Sequence, residues 1–265
     1  MERLALTVGA LRPLILDMDG VLYVGEVAQP GLAELARQLA HRRFVCVTNN
    51  SFLSAGQCSE RLARMGMSVP PDRIITSATA MRDYLLATLQ GGSRVFVVGS
   101  PVLHEAVRSA GMEEATRDVA AVAVGVDTGL GYADLERAVQ LLQRGARLVA
   151  ANDEPCVLQP EGCAPGTGAI VALLVRCVAV APEFVGKPAP AMFRSALRIL
   201  GATGPEAVVI GDSPKTDIAG GRAIGATTVL IGEGPGRPDA APGERPDFTL
   251  SGLGPLARRL EVGDL

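Results

Sequence analysis

The 265-residue chain has no tryptophan, three tyrosines and six phenylalanines, so aromatics make up only 3% of it although 48% of its residues are hydrophobic. Its core must be built from Ala, Val, Leu and Ile, and no row of rings is available for the bases of a single nucleic-acid strand to stack on. The only histidines, His41 and His104, stand far from any Ser or Cys in a nucleophile turn, which argues against a hydrolase triad. Lys plus Arg number 25 against 28 Asp plus Glu, a net charge of -3. With no basic tail or tract of like charge, nothing in the chain would attract nucleic acid or anionic lipid. The longest apolar stretch, Ala169 to Val175, is broken by Arg176 and falls far short of the ~20 residues that cross a bilayer. No membrane span is expected, and the start of the chain, with Glu2, Arg3 and Arg12, shows no signal-peptide pattern.

Five cysteines, Cys46, Cys58, Cys156, Cys163 and Cys177, include no C-x-x-C pair. This argues against a zinc ribbon and against a secreted disulfide framework, and points to a reducing cytoplasm. Cys156 and Cys163 flank Pro160-Glu161-Gly162 and are spaced to bridge a loop, although cysteines in such a chain are more often small buried hydrophobes.

Against these absences stands Asp17-Met18-Asp19-Gly20, directly after the apolar run Leu14-Ile15-Leu16. A short aliphatic run bounded by a turn residue reads as a buried strand, and residues two apart on a strand share a face. Two like charges so placed repel each other unless a cation lies between them or one keeps its proton, and a hard metal ion is the first candidate.

Apolar runs suited to strands recur at Phe44 to Val47, Val95 to Val98, Ala121 to Val126, Leu148 to Ala151, Val208 to Ile210 and Thr228 to Ile231. Helical spacing lies between them, as in Leu32, Leu35, Ala36 and Leu39, or Leu135, Ala138, Val139 and Leu142. The alternation predicts an α/β fold of parallel sheets with helical crossovers. Three strands end in polar residues: Asp17, Thr48-Asn49-Asn50-Ser51 and Asp212. Because ligands of open α/β sheets bind outside the carboxyl ends of strands, these segments are expected to converge on one crevice. The runs between about Ala80 and Val180 lack such endings, which suggests a separate lobe that covers the site. The predicted division is a discontinuous core, residues 1–79 and 181–265, with a smaller α/β cap over 80–180. After Ile231 a cluster of Gly and Pro marks a loop before the short strand Phe248-Thr249-Leu250 and a last helix.

Asp17-x-Asp19, Thr48, Lys187 and Asp212-x-x-x-x-Asp217 supply what phosphoryl transfer requires: a nucleophile, a proton donor for the leaving oxygen, and groups that stabilise charge on the phosphoryl oxygens. Asp17 is the candidate nucleophile and Asp19 the acid and base. Oxygen ligands from Asp17, the Asp19 backbone carbonyl and Asp212 suit Mg²⁺. Lys187, Thr48 and Asn49 would cradle the phosphate, and Asp217 would orient metal waters or Lys187 from behind. Each piece alone is weak, since D-x-D-G also occurs in surface turns and Thr-Asn after a strand is an ordinary helix cap. Their order and placement at strand ends carry the argument.

DMDGVLYVGE, VTNNS, GKPAP and GDSPKTDIAGG together resemble the haloacid dehalogenase-like superfamily, in its NagD-like or 4-nitrophenylphosphatase branch, over nearly the whole chain. The resemblance implies a Rossmann-like core with an inserted α/β cap, Mg²⁺-dependent hydrolysis of a phosphate monoester of a small metabolite, and a homodimer formed through the cap. It assigns Asp17, Asp19, Asp212, Thr48, Asn49 and Lys187 the roles given above. A phosphotransferase or mutase would use the same core, and a phospho-accepting signalling protein also gathers acidic residues, Thr and Lys around Mg²⁺. The inserted lobe and the second carboxylate at Asp19 count against the signalling reading. Two departures stand out: Ser213-Pro214-Lys215 precedes Thr216-Asp217, where relatives more often carry a bulky aliphatic residue, and Ala151-Asn152-Asp153-Glu154-Pro155 resembles the family's T-N-P-D segment with its proline displaced. Selection of the leaving group is expected from the Asn152 to Gly168 loop, with Asn152 and Asp153 as candidate contacts.

Overall fold

The apolar runs form the centre of two parallel sheets in the computed structural model, which describes residues 11–159, 162–232 and 241–263. The first sheet runs Phe248–Leu250, Thr227–Ile231, Val208–Gly211, Leu14–Asp17, Phe44–Thr48, Ile74–Thr76, with every neighbouring pair parallel. In chain order this is 6-5-4-1-2-3, and the order reverses between Leu14–Asp17 and Val208–Gly211. A doubly wound sheet leaves its crevice at that point, so Asp17 and Asp212 flank it.

Alternation along the strands sorts side chains between two layers. Leu14, Leu16, Phe44, Cys46, Val208 and Ile210 face the helices Leu32–Leu39, Ala55–Arg64 and Leu253–Val262. Ile15, Val45, Val47 and Val209 face Ser77–Thr88 and Pro190–Leu200. Leu32, Leu35 and Leu39 are all buried, and each such side chain contributes about 1.5–3 kcal/mol relative to exposure. Both faces are thus covered, as the unbroken apolar strands require.

The second sheet runs Pro182–Phe184, Arg147–Ala150, Ala121–Val124, Arg94–Val98, Glu113–Glu114, again parallel throughout. Its first face continues the layer of Ser77–Thr88 through Val95, Val97 and Ala123. Its second packs Val98, Val122, Val124 and Leu148 on Tyr132–Gln143 and Thr167–Cys177. A hairpin, Cys156–Gln159 with Gly162–Pro165, follows Arg147–Ala150 in the chain and precedes the helix Thr167–Cys177.

Three sheet strands are not visible as apolar runs. Ile74–Thr76 has three residues, Glu113–Glu114 has two, both exposed, and Pro182–Phe184 opens on a proline. Short or edge strands gain their pairing from neighbours and need little pattern of their own. Because Pro182–Phe184 pairs with Arg147–Ala150, the chain returns to the first sheet only after Phe184. The Gly/Pro segment of residues 233–240, Pro160 with Glu161, and the first ten residues lie outside the described residues. Among the described residues, no helix is long and apolar enough to cross a membrane.

Candidate active site

The carboxyl edges of the two sheets meet. Ser51, just past Phe44–Thr48, accepts at its carbonyl from Ser100 Oγ at 3.1 Å and at its Oγ from Val126 N at 3.3 Å. Asn152, just past Arg147–Ala150, donates through Nδ2 to the Asn49 carbonyl at 2.7 Å. The crevice predicted for the first sheet is therefore roofed by the strand ends of the second.

Asp17 closes its strand with its side chain buried, and Lys187 arrives from the far sheet, three residues after Pro182–Phe184. Lys187 Nζ lies 2.5 Å from Asp17 Oδ1 and 2.7 Å from Asp217 Oδ1. Gly186 allows this approach: a Cβ there would stand 2.4 Å from the Ala151 carbonyl oxygen and 2.6 Å from Asn49 Oδ1. Asn49 grips the backbone on either side, accepting from Lys187 N at 2.7 Å and donating to the Lys187 carbonyl at 3.2 Å. The same amide nitrogen donates to Glu154 Oε1 at 2.9 Å. Asn49 thus fixes the main chain that carries the cation.

Asp217 sits in the wide helical turn Pro214–Ile218. The turn starts at Pro214, with Ser213 as its cap: Ser213 Oγ accepts from Thr216 N at 3.3 Å, and Ser213 N donates to Asp217 Oδ2 at 3.2 Å. Proline in a first helical turn forfeits no bond that would otherwise form, so Ser213-Pro214-Lys215 leaves Asp217 turned inward. Asp19 is exposed. Its Oδ2 accepts from Thr48 Oγ1 at 3.0 Å and from the buried Tyr23 hydroxyl at 3.5 Å. Gly20, at φ +86°, passes so close to Asp212 that a Cβ would lie 2.0 Å from its Oδ2.

Oxygens of Asp17, Asp212 and Asp217 lie within 4.8 Å of one another, the one such group of three among the described residues. Burial first, then Asp217, hold the Asp17 carboxyl well above the usual carboxylate range against the opposing pull of Lys187. Desolvation and Asp217 likewise raise Asp212. Burial alone would lower Lys187, but Asp17 and Asp217 raise it above its ordinary value. One ammonium does not balance three crowded carboxylates, and an all-oxygen set of this charge fits a hard divalent cation. The Asp19 carboxylate stays with Thr48 and Tyr23, outside that triangle.

All the residues singled out in the core motifs meet here, with Asn152 and Asp153 on the roof. Asn152 is buried, its Oδ1 accepting from Glu154 N at 3.1 Å, whereas Asp153 is exposed. Sequence reading passed over Tyr23 and Glu154. The place of Glu154 where the family segment has its acidic residue was the available signal, while nothing local marked Tyr23.

Models of two families match, one described as haloacid dehalogenase-like hydrolase over residues 14–113 and one as HAD-like hydrolase over residues 184–256. Dihydroxyacetone phosphatase of Corynebacterium glutamicum is 34% identical over 82% of this chain and 80% of its own. The p-nitrophenyl phosphatase of Archaeoglobus fulgidus superposes with a TM-score of 0.86 at 28% identity, covering 94% of this chain and 99% of that one. Glycerol phosphate phosphatase of Mycobacterium tuberculosis, solved with magnesium, superposes at 0.85 with 29% identity, covering 94% of this chain and 76% of that one. The chain thus belongs to the haloacid dehalogenase-like hydrolases and is a phosphoric monoester hydrolase of that family.

Proposed function

We propose that the protein is a Mg²⁺-dependent phosphatase of a small phosphorylated polyol or sugar, acting in the cytoplasm through an aspartyl-phosphate intermediate. The observation that carries this is the contact of Lys187 with Asp17, next to an Asp19 carboxylate held apart by Thr48. An oxygen of Asp17 attacks phosphorus in line with the ester oxygen. As that bond breaks, Asp19 gives its proton to the leaving alkoxide, then takes one from the water that attacks the aspartyl phosphate, which releases phosphate and restores Asp17. Lys187 offers donors to the phosphoryl oxygens, as would the Thr48 hydroxyl on turning from Asp19, and Asn49 keeps Lys187 in place. Asp17 and Asp212, with the Asp19 carbonyl or Asp217, would hold the metal, whose charge favours the ionised nucleophile and offsets that of the substrate.

The core is assigned to residues 1–79 and 185–265 and the cap to 80–184, a few residues beyond the boundary expected from sequence because Pro182–Phe184 pairs in the second sheet, with Asp153 and Glu154 of the cap meeting the leaving group and Asn152 positioning them. The names of the relatives, dihydroxyacetone phosphatase and glycerol phosphate phosphatase, support a hydroxylated leaving group. The test is hydrolysis of 4-nitrophenyl phosphate and a panel of polyol and sugar phosphates with Mg²⁺. Asp17→Asn should lose at least ~10³-fold in kcat while keeping the wild-type circular dichroism spectrum. Full activity in that variant overturns the mechanism, and phosphate moving to an added alcohol in preference to water would identify a phosphotransferase.

A further inference from the structure

Cys156 and Cys163 have no part in this mechanism. Cys156 pairs across the hairpin with Pro165, and Leu158 with Cys163, so the two cysteines share one face, one diagonal apart. Both are exposed and reduced. Two-stranded ribbons twist more than wide sheets, and the twist draws diagonal side chains within reach of each other. Here the neighbouring Cys163 thiol pushes the Cys156 thiol above its ordinary pKa.

The hairpin is rooted at the catalytic cleft. Gly166 N donates to the Pro155 carbonyl at 2.9 Å and Gly168 N to the Glu154 carbonyl at 2.8 Å, closing its base. Glu154 in turn accepts from Asn49, which holds Lys187. Cβ atoms joined by a disulfide stand about 3.8 Å apart, closer than diagonal neighbours of a ribbon at ~7 Å. Linking the sulfurs would therefore coil the ribbon further, and the strain would reach the Glu154–Asn49 bond.

We propose that Cys156 and Cys163 form a reversible disulfide that alters the hairpin beside the active site. The oxidant is a low-molecular-weight disulfide. One thiolate attacks it, forming a mixed disulfide and releasing one thiol. The second cysteine, losing its proton, then attacks the protein sulfur of that mixed disulfide and releases the second thiol. Two electrons pass from the cysteine pair to the small disulfide, which leaves as two reduced thiols.

The test uses full-length protein carrying Cys177→Ser, so that the pair supplies the exposed thiols, equilibrated with oxidised glutathione. The expected result is loss of both accessible thiols, a mass lower by two hydrogens, no retained glutathione and no crosslinked dimer. A change in kcat/KM for a phosphate ester should appear with it and be reversed by dithiothreitol. Cys156→Ser and Cys163→Ser should each stop at the glutathione adduct. A stable adduct or interchain crosslink in the protein with both cysteines would overturn the pairing. A disulfide that leaves kcat/KM unchanged would overturn its link to the site. The thiol and mass readouts do not depend on the substrate assigned above.

Discussion

Lys187 Nζ stands 2.5 Å from Asp17 Oδ1 with both side chains closed to water, although Asp17 ends a strand of one sheet, Lys187 follows a strand of the other, and the two are 170 positions apart. The pair thus links the carboxyl edges of the two sheets at the cleft. Lys187→Met leaves Asp17 and Asp217 buried without their cation, and removing one partner of a buried pair costs about 3–5 kcal/mol. Urea unfolding in chelator should show that loss, and phosphatase activity should fall with it. A Lys187→Met protein as stable as wild type would mean that the crowded carboxylates shed their charge by protonation.

Without metal, stability should decline as pH rises. The folded-state pKa values of Asp17 and Asp212 are raised, so above the unfolded value of ~4 the native state holds more protons than the unfolded one. The slope of unfolding free energy with pH is then negative up to the raised values. The stabilisation is fully present below pH ~4 and is lost as the pH passes through the folded-state values. Thermal unfolding in EDTA should show this trend for these two groups, and Mg²⁺ should flatten it by favouring their ionised forms. A curve unchanged by Mg²⁺ would remove these carboxylates from the metal site.

Gly20→Ala introduces a methyl group where Asp212 now lies, at a backbone angle that disfavours side chains. Displacing the carboxylate proposed to hold the metal should raise the half-saturating Mg²⁺ concentration roughly 10- to 100-fold. Titration of activity with Mg²⁺ measures it, and an unchanged midpoint would place the metal away from Asp212.

Asn49→Ala leaves the buried Lys187 N–H without an acceptor, at a cost of about 1–3 kcal/mol, and frees Glu154 from the joint. Both Tm and kcat should fall. If kcat drops while stability is kept, Asn49 acts on the phosphate directly and not through Lys187. Glu154→Gln keeps an acceptor for Asn49 Nδ2 and should be milder, which rates on 4-nitrophenyl phosphate can confirm.

Legibility followed the physics of each element. Leu14-Ile15-Leu16 and Val208-Val209-Ile210 announced buried parallel strands because both of their faces need apolar cover. Pro182–Phe184 did not, because an edge strand owes its conformation to the neighbour it pairs with. Among site residues, Asp17, Asp19 and Asp212 could be read from position at strand ends. Asn49 was read as a phosphate ligand from its type, whereas its bonds to Lys187 and Glu154 depend on two sheets being brought edge to edge.

The sequence by itself determined the chemistry available, since carboxylates and hydroxyls after aliphatic runs must leave a parallel sheet at its carboxyl edge. Tertiary structure alone decided which of them touch. It set Asp217 beside Lys187 and Asp17, gave Asp19 to Thr48 and Tyr23, and rooted the Cys156–Cys163 hairpin at the cleft. The reason is range: strand period and turn chemistry act over a few residues, while charge and hydrogen bonding act across whatever gaps packing closes.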